Sequence, residues 1–252
     1  MIKIADELKL LSDILPFEIY IVGGYIRDSI LNVADKNSDI DICASEDISL
    51  YKSVISNYGF IINIKNKNLG TYLIKKGDLI FEFSRLRREV YLNAGEYYPE
   101  KVEFIDSISE DAKRRDFTIN SLYFSIKNNK IFDFYNGIDD IENGIIKAID
   151  DPYKTLSFDA TRLIRMIRLA CCLGFKIENK TLNSAIKNAF KIKFLSENII
   201  LKEFKKIRFD KVLYKTTREE FINLAKWYIE QLNFSKYLSC DIMNKLFEYI
   251  CN

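Results

Sequence analysis

Ile19-Tyr20-Ile21-Val22-Gly23-Gly24-Tyr25-Ile26-Arg27-Asp28, followed by Ser38-Asp39-Ile40-Asp41-Ile42, is the stretch that decides the fold of this chain. Glu18 to Val22 is an apolar run that reads as a strand and ends in a diglycine. A helical stretch, Tyr25 to Leu31, comes next. Ile40 and Ile42 then alternate with Asp39 and Asp41, the pattern of a second strand. Side chains at i and i+2 of a strand share one face, about 7 Å apart, so the two carboxylates repel unless a cation lies between them. The glycines Gly23 and Gly24 let the backbone come close to a triphosphate, and Arg27 adds a charged donor for it. Strand, diglycine, helix and paired acids together make a phosphate cradle beside a metal site.

Further strand candidates lie at Phe60–Ile64, Tyr72–Ile74, Leu79–Phe83 and Lys101–Phe104, with a last hairpin from Ile119–Ile126 and Lys130–Phe134 around Asn128-Asn129. From Leu156 onward there is no Pro, Gly occurs only at Gly174, and apolar residues recur at helical spacing. The fold class is therefore α+β, an α+β part over 1–150 followed by an all-helical part, with the boundary near Asp150-Asp151-Pro152. The aromatic cluster Phe221, Trp227, Tyr228, Phe234 and Tyr237 has the spacing of a helical core.

Composition narrows the chemistry. The chain has no histidine, so His-based acid–base catalysis and His metal sites are excluded, and a bound metal must take oxygen ligands: Mg²⁺, Mn²⁺ or Ca²⁺. Five unpatterned cysteines argue against a disulfide framework and a cysteine metal site. No apolar run approaches the roughly 18–20 residues of a membrane span, and the N-terminus lacks a signal-peptide profile. A cytoplasmic protein is expected. Net charge is only +2, but Lys176 to Lys215 holds eleven Lys and Arg against four Asp and Glu. That excess suits a phosphate backbone, or equally a solvated helix surface.

The helix expected from Ser157 to Leu173 carries Asp159, Arg162, Arg165 and Arg168 at every third position among core residues. Arginines so placed are costly without an anion or carboxylate. A nucleotide would supply both phosphates and base edge; an internal Arg–Asp network is the alternative. Glu82, between Phe81 and Phe83, is either a third carboxylate on a neighbouring strand or the partner of Arg85 or Arg87 in a salt bridge.

The opening stretch resembles the head-domain signature of class II tRNA nucleotidyltransferases (CCA-adding enzymes) and bacterial poly(A) polymerases. Arg114-Arg115-Asp116-Phe117-Thr118-Ile119-Asn120-Ser121-Leu122 is similar to the family's RRDFTxNAL motif, and Phe132 to Ile141 to its DxxxGxxDL element. The stretch from Phe158 to Leu169 resembles the EDxxRxxRxxRF segment, with Phe158 in place of Glu and Leu169 in place of Phe. Ser196 to Phe204 resembles the ERIxxEF element, with Asn198 in place of Arg. The resemblance covers roughly residues 18–207.

It implies a polymerase-beta-like nucleotidyltransferase head with a mixed sheet over 1–150, a helical neck over 151–208 that selects the base, and a reduced helical body over 209–252. It implies Asp39 and Asp41 as catalytic metal ligands for two Mg²⁺ ions, with Mn²⁺ as a substitute. Gly23, Gly24, Arg27 and Arg115 would bind nucleotide. Asp159 and Arg162 would read the Watson–Crick edge of C or A, supported by Arg165 and Arg168; an Asp accepts from the exocyclic amine that both bases carry. The implied activity is template-independent addition of C and/or A to a tRNA 3′ end, with CTP, ATP and RNA as partners, no membrane, and a homodimer or helper subunit to hold the RNA. A poly(A) polymerase or another RNA 3′-end nucleotidyltransferase is the alternative with the same chemistry. A non-catalytic RNA-binding module is the alternative from another class, although it would have no need of the metal carboxylates.

Overall fold

The computed structural model describes residues 2–34, 40–91, 99–206 and 216–251. Asp39, one of the two expected metal ligands, lies outside the described residues. The chain divides into two compact units, Met1–Val90 with Lys101–Ile141, and Tyr91–Glu100 with Glu142–Asn252.

In chain order the first unit comprises α1 (Asp6–Ile14), β1 (Tyr20–Val22), α2 (Gly24–Ile30), β2 (Ile40–Ala44), α3 (Lys52–Ser56), β3 (Ile61–Asn66), β4 (Thr71–Lys76) and β5 (Leu79–Arg85). β6 (Arg87–Val90), β7 (Lys101–Phe104), α4 (Ile108–Ala112), β8 (Tyr123–Ser125), β9 (Lys130–Phe132) and α5 (Gly137–Glu142) follow. Seven of the described strands form a mixed sheet in the order β3-β4-β5-β2-β1-β8-β9. β2 and β5 run parallel, and the other neighbours are antiparallel. Strand alternation sorts the faces. Ile21, Ile42, Phe83, Tyr72 and Phe124 are paired across the sheet on one face, all buried. Asp41 points the other way, with Val22, Cys43 and Tyr123. The latter three form a buried cluster with Leu86 and Ala112, so α4 covers the Cys43 end of that face. Asp41, two residues before Cys43, is exposed.

The second unit comprises β10 (Ile145–Ile146), α6 (Pro152–Phe158), α7 (Thr161–Leu173), β11 (Lys176–Ile177), α8 (Asn179–Asn188), a 3-10 helix (Ala189–Phe194), α9 (Glu197–Phe204), α10 (Arg218–Gln231) and α11 (Cys240–Cys251). α7 is its centre, with Leu163, Ile164, Met166, Ile167 and Ala170 buried and α9 and α10 packed against it. Phe221, Tyr228 and Phe234 are buried as their spacing predicts, whereas Trp227 is half-exposed and sits edge-on to Tyr228.

Three expectations change. The helix expected over 157–173 is broken: α6 ends at Phe158, Asp159 is extended (φ −130°, ψ 109°), and α7 starts at Thr161. The Asp159 carboxylate accepts from Thr161 N at 2.8 Å and Thr161 Oγ1 at 2.7 Å, a local bond that competes with helix continuation. The strand expected over 119–126 is confined to β8, because Thr118–Asn120 forms a 3-10 turn. The helical part is not all-helical: β10 pairs in parallel with β11, which ties residues before Asp150 to the second unit. No helix among the described residues is long and apolar enough to cross a membrane.

Candidate active site

The junction of β1 and α2 brings the first unit's chemistry to one point. Gly23 has φ +80° and ψ −137°, a backbone state that side chains rarely adopt. A Cβ placed there would lie 3.9 Å from Asp41 Oδ2 and 4.0 Å from Arg115 Nη1. A carboxylate and a guanidinium therefore converge on the space that this glycine keeps clear. Glu82 on β5 is the register partner of Asp41 on β2, so both carboxylates stand on the same face. Glu82 pairs with Lys65 at 2.5 Å, not with Arg85 or Arg87. Arg85 instead donates to Ser45 O, and Arg87 pairs with Glu89.

Arg115 is held from behind. Asp111, fully buried on α4, accepts from Arg115 Nη2 at 3.2 Å, Arg114 Nε at 2.8 Å, Arg87 N at 2.9 Å and the Tyr123 hydroxyl at 2.5 Å. The same hydroxyl accepts from Arg115 Nε at 2.7 Å. Burial pushes the Asp111 carboxyl up, but the Arg114 and Arg115 guanidiniums outweigh it and hold the group far below the usual carboxylate range. Burial, with Asp111 alongside, raises the Tyr123 phenol against the pull of Arg115, so it stays protonated and bridges the two. Asp111 and Tyr123 were not among the expected site residues. The available signal was spacing: Asp111 stands three and four residues before Arg114 and Arg115.

Arg27 has a different environment from a free phosphate donor. It is buried, donates to Asp28 Oδ1 and gives Nη1 to Asn120 Oδ1 at 2.5 Å. Asn120 in turn donates to Asp116 Oδ1 at 3.3 Å. This chain of polar groups fastens α2 to the Thr118–Asn120 turn. Gly24 leaves room for it: a Cβ there would be 3.3 Å from Arg27 Nη2.

In the second unit Asp159 occupies the break between α6 and α7. Burial raises its carboxyl, against the pull of Arg162, the Thr161 bonds and Arg165. Arg162, buried, donates Nη1 to Thr155 O at 3.0 Å. Arg165 is half-buried, and Arg168 approaches Glu203 at 3.8 Å. Asp159 and Arg162 are thus hydrogen-bonded within this unit, Arg168 has only a long ion-pair approach to Glu203, and Arg165 acts electrostatically on Asp159.

The sequence of residues 19–147, just over half of the chain, matches the family model described as the poly A polymerase head domain. The chain belongs to the poly A polymerase head-domain family. Its similarity extends to the CCA-adding enzyme of Ligilactobacillus salivarius, 35% identical over 194 residues, 74% of this chain and 46% of that protein. The CCA-adding enzyme of Lactobacillus helveticus is 34% identical over 209 residues, 82% of this chain and 49% of that one. This family member spans about half the length of the curated relatives it matches. In fold it is similar to the Bacillus stearothermophilus CCA-adding enzyme in complex with CTP, with a TM-score of 0.75 and 22% identity over 93% of this chain and 54% of that one. The Thermotoga maritima CCA-adding enzyme complexed with tRNA gives a TM-score of 0.68 at 23% identity over 91% of this chain and 50% of that one. At these identities the likeness is one of fold.

Proposed function

We propose that the chain adds C and/or A to the 3′ end of tRNA without a nucleic-acid template. The observation that carries this reading is the meeting of Asp41 and Arg115 at Gly23, on a sheet face where Glu82 stands in register. The attacking RNA 3′-hydroxyl forms a new bond to the α-phosphorus of CTP or ATP. The bond from that phosphorus to the β-phosphate bridging oxygen breaks, pyrophosphate leaves, and the hydroxyl proton passes to solvent. Arg115 neutralises phosphate charge from a fixed position, because Asp111 and Tyr123 hold its other nitrogens. Asp159 and Arg162 choose the base: the carboxylate accepts from the amine of C or A, and G and U leave it unpaired.

The donor set fits a hard divalent cation. Asp41 is exposed, Glu82 lies beside it, the chain has no histidine, and Cys43 is buried with its thiol pushed up by burial. Asp41 with Asp39 would hold Mg²⁺ or Mn²⁺, with Glu82 as a further ligand once released from Lys65. When bound, such ions activate the attacking oxygen and neutralise the leaving pyrophosphate.

Curated relatives named CCA-adding enzymes, and solved relatives whose descriptions include CTP and tRNA, support the same substrates. The test is incubation with tRNA lacking its 3′ CCA, Mg²⁺ and each labelled NTP in turn. Incorporation of CTP followed by ATP is expected, whereas runs of ATP alone would make the chain a poly(A) polymerase. RNA retardation without any incorporation would make it a binding module.

A further inference from the structure

The lysine excess of the helical part is concentrated in three neighbouring elements of the second unit. α6 lies against α8, where Asn188 Nδ2 donates to Tyr153 O at 3.3 Å. Together with the 3-10 helix Ala189–Phe194, these elements carry five lysines (Lys154, Lys180, Lys187, Lys191 and Lys193) and no Asp or Glu. The acids just ahead of them are engaged locally. Asp151 accepts from Tyr153 N at 2.9 Å, and Glu178 from Thr181 Oγ1 at 2.8 Å.

The same elements carry exposed aromatic rings: Tyr153 is 47% exposed, Phe190 38% and Phe194 59%. Rings and cations are interleaved. The Lys193 ammonium is 5.2 Å from the Phe194 centroid and 5.9 Å from that of Phe190. Lys191 Nζ is 5.8 Å from Phe190 and 5.9 Å from Tyr153, which joins the α6 and 3-10 parts of the patch. Lys191 itself is buried and anchored on the Ser157 carbonyl and hydroxyl, so its ammonium holds a fixed place between the Phe190 and Tyr153 rings.

An apolar partner face would have to desolvate these ammonium groups without a counter-charge. A nucleic-acid strand answers both features, with phosphates for the lysines and base faces for the rings. Bases inside a duplex are already stacked and offer the rings nothing. We propose that Tyr153, Phe190 and Phe194, with Lys187 and Lys193, form a docking surface for single-stranded RNA. The proposal rests on the preceding functional reading only in naming RNA as the strand.

The experiment measures fluorescence anisotropy of the full chain with a labelled single strand of about 12 nucleotides and with the same sequence in a duplex, without NTP or metal. The single strand binds more tightly. The double variant Phe190→Ala/Phe194→Ala loses at least about tenfold in affinity, the effect of roughly one stacked base. Phe190→Leu/Phe194→Leu, which keeps apolar bulk, loses affinity similarly and guards against a folding artefact. Lys187→Ala/Lys193→Ala lowers the slope of log affinity against log salt by about 1.4. Affinities within twofold of wild type in all three variants overturn the proposal, as does equal binding of duplex. Self-association abolished by the aromatic variants, with RNA affinity unchanged, also overturns it and makes the surface a protein interface. RNA binding without nucleotide transfer in the wild type would remove the reading of the first unit and leave this surface standing. Transfer with unchanged RNA affinity in the variants would do the reverse.

Discussion

Tyr123→Phe removes one oxygen and keeps the ring that packs edge-on to Tyr20. That oxygen donates to Asp111 at 2.5 Å and accepts from Arg115 Nε at 2.7 Å in a fully buried position. A hydrogen bond to a charged partner contributes about 1.5–3 kcal/mol. Asp111 keeps its bonds from Arg87 N, Arg114 and Arg115 Nη2, so the low end applies to each lost bond and the expected destabilisation is about 3 kcal/mol. For a chain of this size that lowers the thermal midpoint by roughly 6–12 °C. Arg115 also loses the contact that fixes its Nε, so CTP affinity falls about tenfold, equivalent to about 1.4 kcal/mol. Circular dichroism melting and CTP titration of both proteins give the two numbers. A midpoint within 1–2 °C of wild type, about the effect of half a kcal/mol, would refute the buried bridge. The expected loss of stability with unchanged CTP affinity would refute the role assigned to Arg115.

Other perturbations follow from the same geometry. Gly23→Ala forces a side chain into φ +80°, costing about 1–3 kcal/mol in thermal or urea unfolding, and sets a methyl in contact with Asp41 and Arg115, so transfer activity falls as well as stability. Asp111→Asn takes the carboxylate from Arg115, while Arg114 keeps Glu89 at 3.3 Å, and costs about 3 kcal/mol at neutral pH. The Asp111 carboxyl titrates below its unfolded value in the native protein, so its stabilising contribution is present above about pH 4 and is lost as pH falls toward the lower native value. Urea midpoints from pH 7 to pH 2 should show an acid-dependent loss in wild type that is reduced in Asp111→Asn. Asp159→Ala relaxes the choice among NTPs more than it slows transfer of CTP; single-NTP incorporation rates measure this, and unchanged selectivity counts against base reading.

The elements that position the site were legible where alternation and glycine chemistry coincide. The run 18–22, the diglycine and Ile40–Ile42 read as strand, turn and strand, and β1, α2 and β2 lie there. Residues that act through long-range contacts were not legible as partners. Tyr123 reads as one more aromatic of a strand, and its place beside Arg115 depends on the packing of α4, which carries Asp111, against β8. The break at Asp159 was hidden because apolar periodicity runs straight through it, while the interruption comes from one carboxylate capping Thr161. β10 and β11 are too short to show alternation, so their pairing is set by tertiary packing alone. Glu82 shows the same limit: its strand and face follow from alternation, but Lys65 as its partner depends on strand order across β3, β4 and β5.

The most direct measurement is anomalous diffraction from crystals soaked with Mn²⁺ and a non-hydrolysable CTP analogue. A manganese peak against the Asp41 carboxylate, with triphosphate density beside Gly23 and Arg115, is the expected result. Nucleotide bound with no metal peak at Asp41, or bound away from Gly23, would contradict a metal-assisted nucleotidyl transfer at this site.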